Sequence, residues 1–79
     1  MKTHILQYLS YILGRPAQQI YSSDSLENDL QLDSIDRMDL IFKLENMFGV
    51  ELSADEIEKV NTVDDLCFAF EHSHSLLTH

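Results

Sequence analysis

A chain of 79 residues with a formal net charge of −9 is too short for more than one small domain, and too acidic to hold nucleic acid or an anionic membrane by charge. Hydrophobic residues make up 44% of it, while glycine and proline number only two and one, which excludes a disordered chain and disfavours a turn-rich β fold. The one cysteine, Cys67, excludes an internal disulfide, and no apolar run approaches the ~20 residues of a membrane span.

Residues 1–13 lack the sustained apolar run and small-residue cleavage site of a signal peptide, so a soluble, cytoplasmic protein is expected. The charge is uneven. Residues 1–23 carry Lys2 and Arg15 and no acid, whereas thirteen of the fourteen acids fall between residues 24 and 65. Such a region is either a solvated face that keeps the protein soluble or a surface that speeds encounter with basic partners.

The first element is a helix over residues 3–13. Ile5, Leu9, Ile12 and Leu13 share one face, with Leu6 beside them, and Gly14 and Pro16 supply a left-handed stop. Residues 15–32 then read as a long loop, rich in Gln, Ser, Asn and Asp. Ile20, Leu26, Leu30 and Leu32 recur in it as apolar anchors that pin it across the domain. Loops of this length in a small domain are commonly functional.

A second helix starts at Asp33 or Ser34, with Asp36 and Asp39 complementing the positive end of its dipole. Leu40, Leu44 and Phe48, with Ile41 alongside, form its core stripe, and Gly49 ends it. Ile35, Met38 and Phe42 make a second apolar line, which is either further core or a partner surface. Ser53 and Glu56 form a capping-box pattern for a short third helix over about 54–59. Thr62 and Asp65 repeat the pattern for a fourth, with Val63, Leu66, Cys67 and Phe70 as its core face.

The fold expected is all-α: a small bundle of three main helices and one short one, with a long first loop. The domain is expected over residues 1–71, with residues 72–79 as a disordered tail.

Two Asp-Ser-apolar tripeptides stand out, Asp24-Ser25-Leu26 and Asp33-Ser34-Ile35. Only Ser34 opens an amphipathic helix that closes at Phe48-Gly49; Ser25 is followed by Glu27-Asn28-Asp29, which breaks helical periodicity. Taken alone, Ser34 reads as a helix cap. A serine-hydrolase role is excluded by the lack of a Gly-x-Ser-x-Gly elbow and by histidines confined to the chain ends. His72, His74 and His79 do not suit a metal site, because i, i+2 spacing places no two ligands on one helix face. An EF-hand frame fails from Asp24, with Asp29 at the glycine position, and from Asp29, with Ser34 at the glycine and Leu40 at the glutamate. Cys67 lies on a core stripe, where packing outweighs reactivity.

The run Leu30-Gln31-Leu32-Asp33-Ser34-Ile35-Asp36-Arg37-Met38-Asp39-Leu40, with Leu44, Phe48-Gly49-Val50 and Thr62-Val63, resembles the acyl carrier protein family from about Ser25 to Phe70. The resemblance implies that Ser34, with Asp33 beside it, is the attachment site for 4′-phosphopantetheine. A separate phosphopantetheinyl transferase would place the arm there from coenzyme A with Mg²⁺, and the arm's thiol would carry acyl groups as thioesters.

It further implies a carrier, monomeric on its own, that is a substrate of enzymes and no enzyme itself. Ketosynthases, acyltransferases and other acyl-processing enzymes would dock through basic patches on Asp33, Asp36, Asp39 and Glu45. Ile35, Met38 and Phe42 would supply the apolar part of the contact. Leu44, Ile57 and Val60 would line an acyl pocket between helices.

This chain departs from the family pattern at Gln31, where glycine is common, at Arg37 and Lys43 in a helix usually more acidic, and at Ile57, where a smaller residue is usual. Arg37 is expected to pair with nearby acids, and Lys43 with Asp39. Together the departures suggest a dedicated polyketide, aryl-polyene or modified-lipid pathway in place of housekeeping fatty-acid synthesis. Two alternatives stand beside the acyl carrier: a peptidyl carrier, and an acidic interaction module with no prosthetic group. Asp33 and the −9 charge favour acyl cargo over the peptidyl reading.

Overall fold

Four helices and one short 3-10 turn account for the architecture in a computed structural model that describes residues 2–72. The helices are α1 (Lys2–Leu13), α2 (Ser34–Phe48), α3 (Ala54–Glu58) and α4 (Val63–Glu71), with the turn at Ala17–Gln19 inside the first loop. The expected tail lies outside the described residues from residue 73 on. Its first residue, His72, is the C-cap of α4, its N–H donating to the Phe68 carbonyl and its ring stacked on Phe68 at 4.1 Å.

In α1, Ile5 and Leu9 are fully buried, and Leu6, Tyr8 and Leu13 pack against the core. Gly14 ends the helix at φ +66°, its N–H donating to the Ser10 carbonyl at 3.0 Å. Ile12, expected on the core face, is 39% exposed. The last turn of α1 runs beside the polar first half of α2. There Ile12 lines an open groove with Tyr8, Leu32, Asp36, Asp39 and Lys43, which do not close over it.

The long loop is held from two directions. Its apolar anchors Ile20, Leu26, Leu30 and Leu32 are all buried, each contributing on the order of 2 kcal/mol. Its backbone is tied to the start of α4. Leu26 N–H donates to the Asn61 carbonyl (2.9 Å), and Val63 and Asp64 N–H donate to the Asp24 and Ser22 carbonyls (3.0 and 2.9 Å). An isolated antiparallel bridge joins Ser25 to Thr62. The first N–H groups of a helix have no intrahelical acceptor, so the loop supplies what α4 lacks.

α2 forms the centre. Leu40, Ile41 and Leu44 are buried, Phe48 packs against Phe70 with ring centroids 5.8 Å apart, and Gly49 closes the helix at φ +67°. The capping boxes at Ser53/Glu56 and Thr62/Asp65 both form, and Val63, Leu66, Cys67 and Phe70 are buried.

Glu45 departs from expectation. In place of a surface acid, it is a buried side chain only 8% exposed whose Oε2 accepts from the Leu52 N–H at 2.7 Å. It falls on the inner side of α2 one residue after Leu44, and the chain leaving the helix needs an acceptor there. Its backbone carbonyl also accepts from Gly49 and Val50. Glu45→Ala strands the Leu52 N–H and is expected to lower the unfolding free energy by about 2 kcal/mol. Glu45→Gln keeps an acceptor oxygen and should cost less. Urea denaturation of the two variants checks the order.

Candidate functional site at the start of α2

The N-cap of α2 is Asp33, whose Oδ1 accepts from the Asp36 N–H at 2.9 Å. Ser34 is therefore the first helical residue and not the cap, which removes the reading of this serine as a simple helix-capping hydroxyl. It is exposed, in a first turn whose backbone N–H groups point out along the helix axis. Ser25 is placed differently. Its hydroxyl accepts from the Asn28 N–H (3.1 Å), its own N–H donates to Asp29 Oδ2 (2.7 Å), and its backbone forms the bridge to Thr62.

The approach to Ser34 is set by the loop. Leu30 N–H returns to the Ser25 carbonyl (3.0 Å) and Leu32 N–H to the Leu26 carbonyl (2.8 Å). Between them Gln31 adopts φ +58°, the left-handed conformation that glycine takes without penalty. The turn is thus made in the geometry a glycine would have used, with an L side chain carrying the strain.

Ile35, Met38 and Phe42 share a shallow groove of about 390 Å³ with Ser34 and Asp39. Ile35 is 79% and Phe42 52% exposed. Ile35 and Phe42 therefore lie outside the core, while Met38 is half-buried. Asp36 and Asp39 are exposed beside it.

Lys43 Nζ lies 3.2 Å from Asp39 Oδ2, as the i, i+4 spacing implies, and the hydrogen bond to that carboxylate raises the Lys43 pKa. Arg37 makes no such pair among the described residues. Its Nη1 donates to the Val60 carbonyl at 3.1 Å, and its Nε is buried without a partner. The side chain points inward because Arg37 stands one turn before Leu40 and Ile41 on the core stripe.

Of the three expected acyl-pocket residues, Leu44 is buried in the core, Val60 is 1% exposed at the floor of a groove between α3 and α4, and Ile57 packs against the core half-buried. Sequence reasoning missed that groove, a further one of about 330 Å³ lined by Val60, Lys59, Phe68, Ala69 and His72 among others. Phe68 is 62% exposed. Its place next to Cys67 but off the stripe of Val63, Leu66 and Phe70 was the available signal. Cys67 itself is buried, and burial pushes its thiol pKa up, so it is a poor nucleophile. Among the described residues no helix is long and apolar enough to cross a membrane.

The structure thus places an exposed serine at the head of a short helical bundle, beside exposed acids and an apolar groove. The sequence pattern of the phosphopantetheine attachment-site family matches residues 3–69. Solved structures agree. A protein described as an acyl carrier protein from Mycobacterium tuberculosis superposes with a TM-score of 0.79 at 26% identity, over 89% of this chain and 93% of that one. One so described from Anaplasma phagocytophilum gives 0.73 at 32% identity, over 91% and 88%. The acyl carrier protein of Enterococcus faecalis gives 0.70 at 28% identity, over 92% and 99%.

The chain belongs to the acyl carrier protein family, and the family's prosthetic group is 4′-phosphopantetheine.

The strain at Gln31 carries a prediction. Left-handed geometry costs an L residue about 1–2 kcal/mol, and glycine's extra unfolded-state entropy takes back about 0.4–1. Gln31→Gly is therefore expected to stabilise the protein by about 0.5–1 kcal/mol, read as a higher urea midpoint at unchanged slope.

Proposed function

We propose that Ser34 is the residue that bears the phosphopantetheine arm, and that the protein carries acyl groups as thioesters on it. The observation that carries this reading is the division of labour at the two Asp-Ser pairs. Asp33 caps the helix and leaves the Ser34 hydroxyl exposed, whereas the Ser25 hydroxyl is used inside the loop. An exposed hydroxyl in a helix's first turn suits the group chemically, since a phosphodiester there faces unpaired N–H groups and the positive dipole end. The arm supplies a long flexible thiol; the chain supplies the hydroxyl and a docking surface.

Partners of this reading are a phosphopantetheinyl transferase and acyl-processing enzymes such as ketosynthases and acyltransferases. They dock on Ile35, Met38 and Phe42 and on the carboxylates of Asp33, Asp36 and Asp39, with the acids setting on-rate and register and the apolar groove supplying buried contact. Glu45 is withdrawn from this surface by its burial. The protein itself acts as a substrate, in the cytoplasm and as a monomer. Arg37, Lys43, Gln31 and Ile57 favour service to a dedicated pathway over housekeeping fatty-acid synthesis, and substrate competition among pathway enzymes tests that step.

Incubation with coenzyme A, Mg²⁺ and a broad-specificity transferase should add a single phosphopantetheine to wild type and to Ser25→Ala, but none to Ser34→Ala, by intact mass. Addition to folded Ser34→Ala would sink the assignment. Neutralising the exposed acids in Asp36→Asn/Asp39→Asn should slow loading about ten-fold at low salt. The gap should close as ionic strength rises and the Debye length falls to a few ångström; a deficit independent of salt would reject the steering role.

A further inference from the structure

We infer that Arg37 determines cargo specificity by barring acyl chains from the space between α2 and α3, so that this carrier holds short or polar acyl groups in the open. The inference rests on attachment of the arm at Ser34.

Arg37 lies three residues after Ser34 on α2, so the two side chains are neighbours one helical turn apart. It also heads the buried stripe of Leu40, Ile41 and Leu44. From there its Nη1 crosses to the carbonyl of Val60, just past the Lys59 cap of α3. A chain tethered at Ser34 and turning inward toward Leu44 therefore meets a guanidinium held across its path.

Displacing that group is unfavourable. The Val60 carbonyl would lose a charge-assisted hydrogen bond that an apolar chain cannot replace. In the structure Arg37 pairs with none of the neighbouring acids Asp33, Asp36 and Asp39, and its one hydrogen bond among the described residues is the one to the Val60 carbonyl. The residues behind it are closed to solvent as well: Leu44 and Leu66 are fully buried, and Val60 is 1% exposed where it borders the groove between α3 and α4. A short or polar acyl group needs no such shelter, whereas a long alkyl chain left outside stays in water.

The test separates this inference from the assignment of Ser34. Wild type, Arg37→Met, Arg37→Thr and Lys43→Met are loaded from acetyl- and octanoyl-coenzyme A by a broad-specificity transferase, and loading is confirmed by intact mass. Folding is checked by circular dichroism. Hydroxylamine then attacks the thioester carbonyl, freeing the thiol and an acyl hydroxamate, and rates are normalised to the same thioesters of coenzyme A.

In wild type and Lys43→Met, octanoyl and acetyl groups should be cleaved alike. In the Arg37 variants, octanoyl cleavage should become about ten-fold slower while acetyl cleavage stays unchanged, as expected for loss of one charge-assisted bond. A merely structural role would shift the melting temperature without altering the ratio of the two chain lengths. Octanoyl already protected in wild type, or an unchanged ratio in both folded Arg37 variants, overturns the inference. A wild type that takes no arm overturns the carrier reading, and this one with it.

Discussion

Three backbone hydrogen bonds between the first loop and the start of α4 hold the arrangement together. The carbonyls of Ser22 and Asp24 accept the N–H groups of Asp64 and Val63, and Asn61 accepts from Leu26. One set of contacts thereby meets two demands. The loop, too long to be ordered by its own contacts, gains fixed partners. The helix, whose first N–H groups cannot be satisfied internally, gains acceptors. The loop's end is then placed by Leu32 donating to Leu26, two residues before Ser34. The serine's position is thus traceable through the loop to α4, far along the chain.

The same economy appears on α2, which divides its residues among three directions. Leu40, Ile41 and Leu44 face the core; Ile35 and Phe42 face solvent; Asp36 and Asp39 stand beside the exposed apolar line. An exposed apolar groove on a small acidic protein is a liability unless something covers it part of the time. The surrounding carboxylates keep the face soluble and favour cationic partners. Lys43, held against Asp39, neutralises part of that charge locally.

Two charged residues of this helix turn inward instead. Glu45 and Arg37 each link α2 to a later segment through a backbone group, Glu45 to Leu52 and Arg37 to Val60. A charged side chain that is partly buried needs a polar partner, and both find one in main-chain groups left unpaired where the chain enters or leaves α3. These ties brace a helix of only five residues, which could not hold its position by propensity alone.

Local pattern decided the helices, their caps and most of the core. The capping boxes at Ser53 and Thr62, the glycine stops at Gly14 and Gly49, and the stripes of α2 and α4 depend on residues within a turn or two of one another, so they were legible in the sequence. The motif around Ser34 was legible for the same reason. Tertiary structure decided what depends on distant neighbours. Ile12 has a core-facing register but meets polar residues across the groove; Glu45 and Arg37 look like surface charges until the segments they bond to are in place. That Ile35 and Phe42 are exposed and Met38 half-buried could be read only once the bundle was assembled around α2. Periodicity fixes which side chains share a face, but only the packing of remote segments determines whether that face is covered.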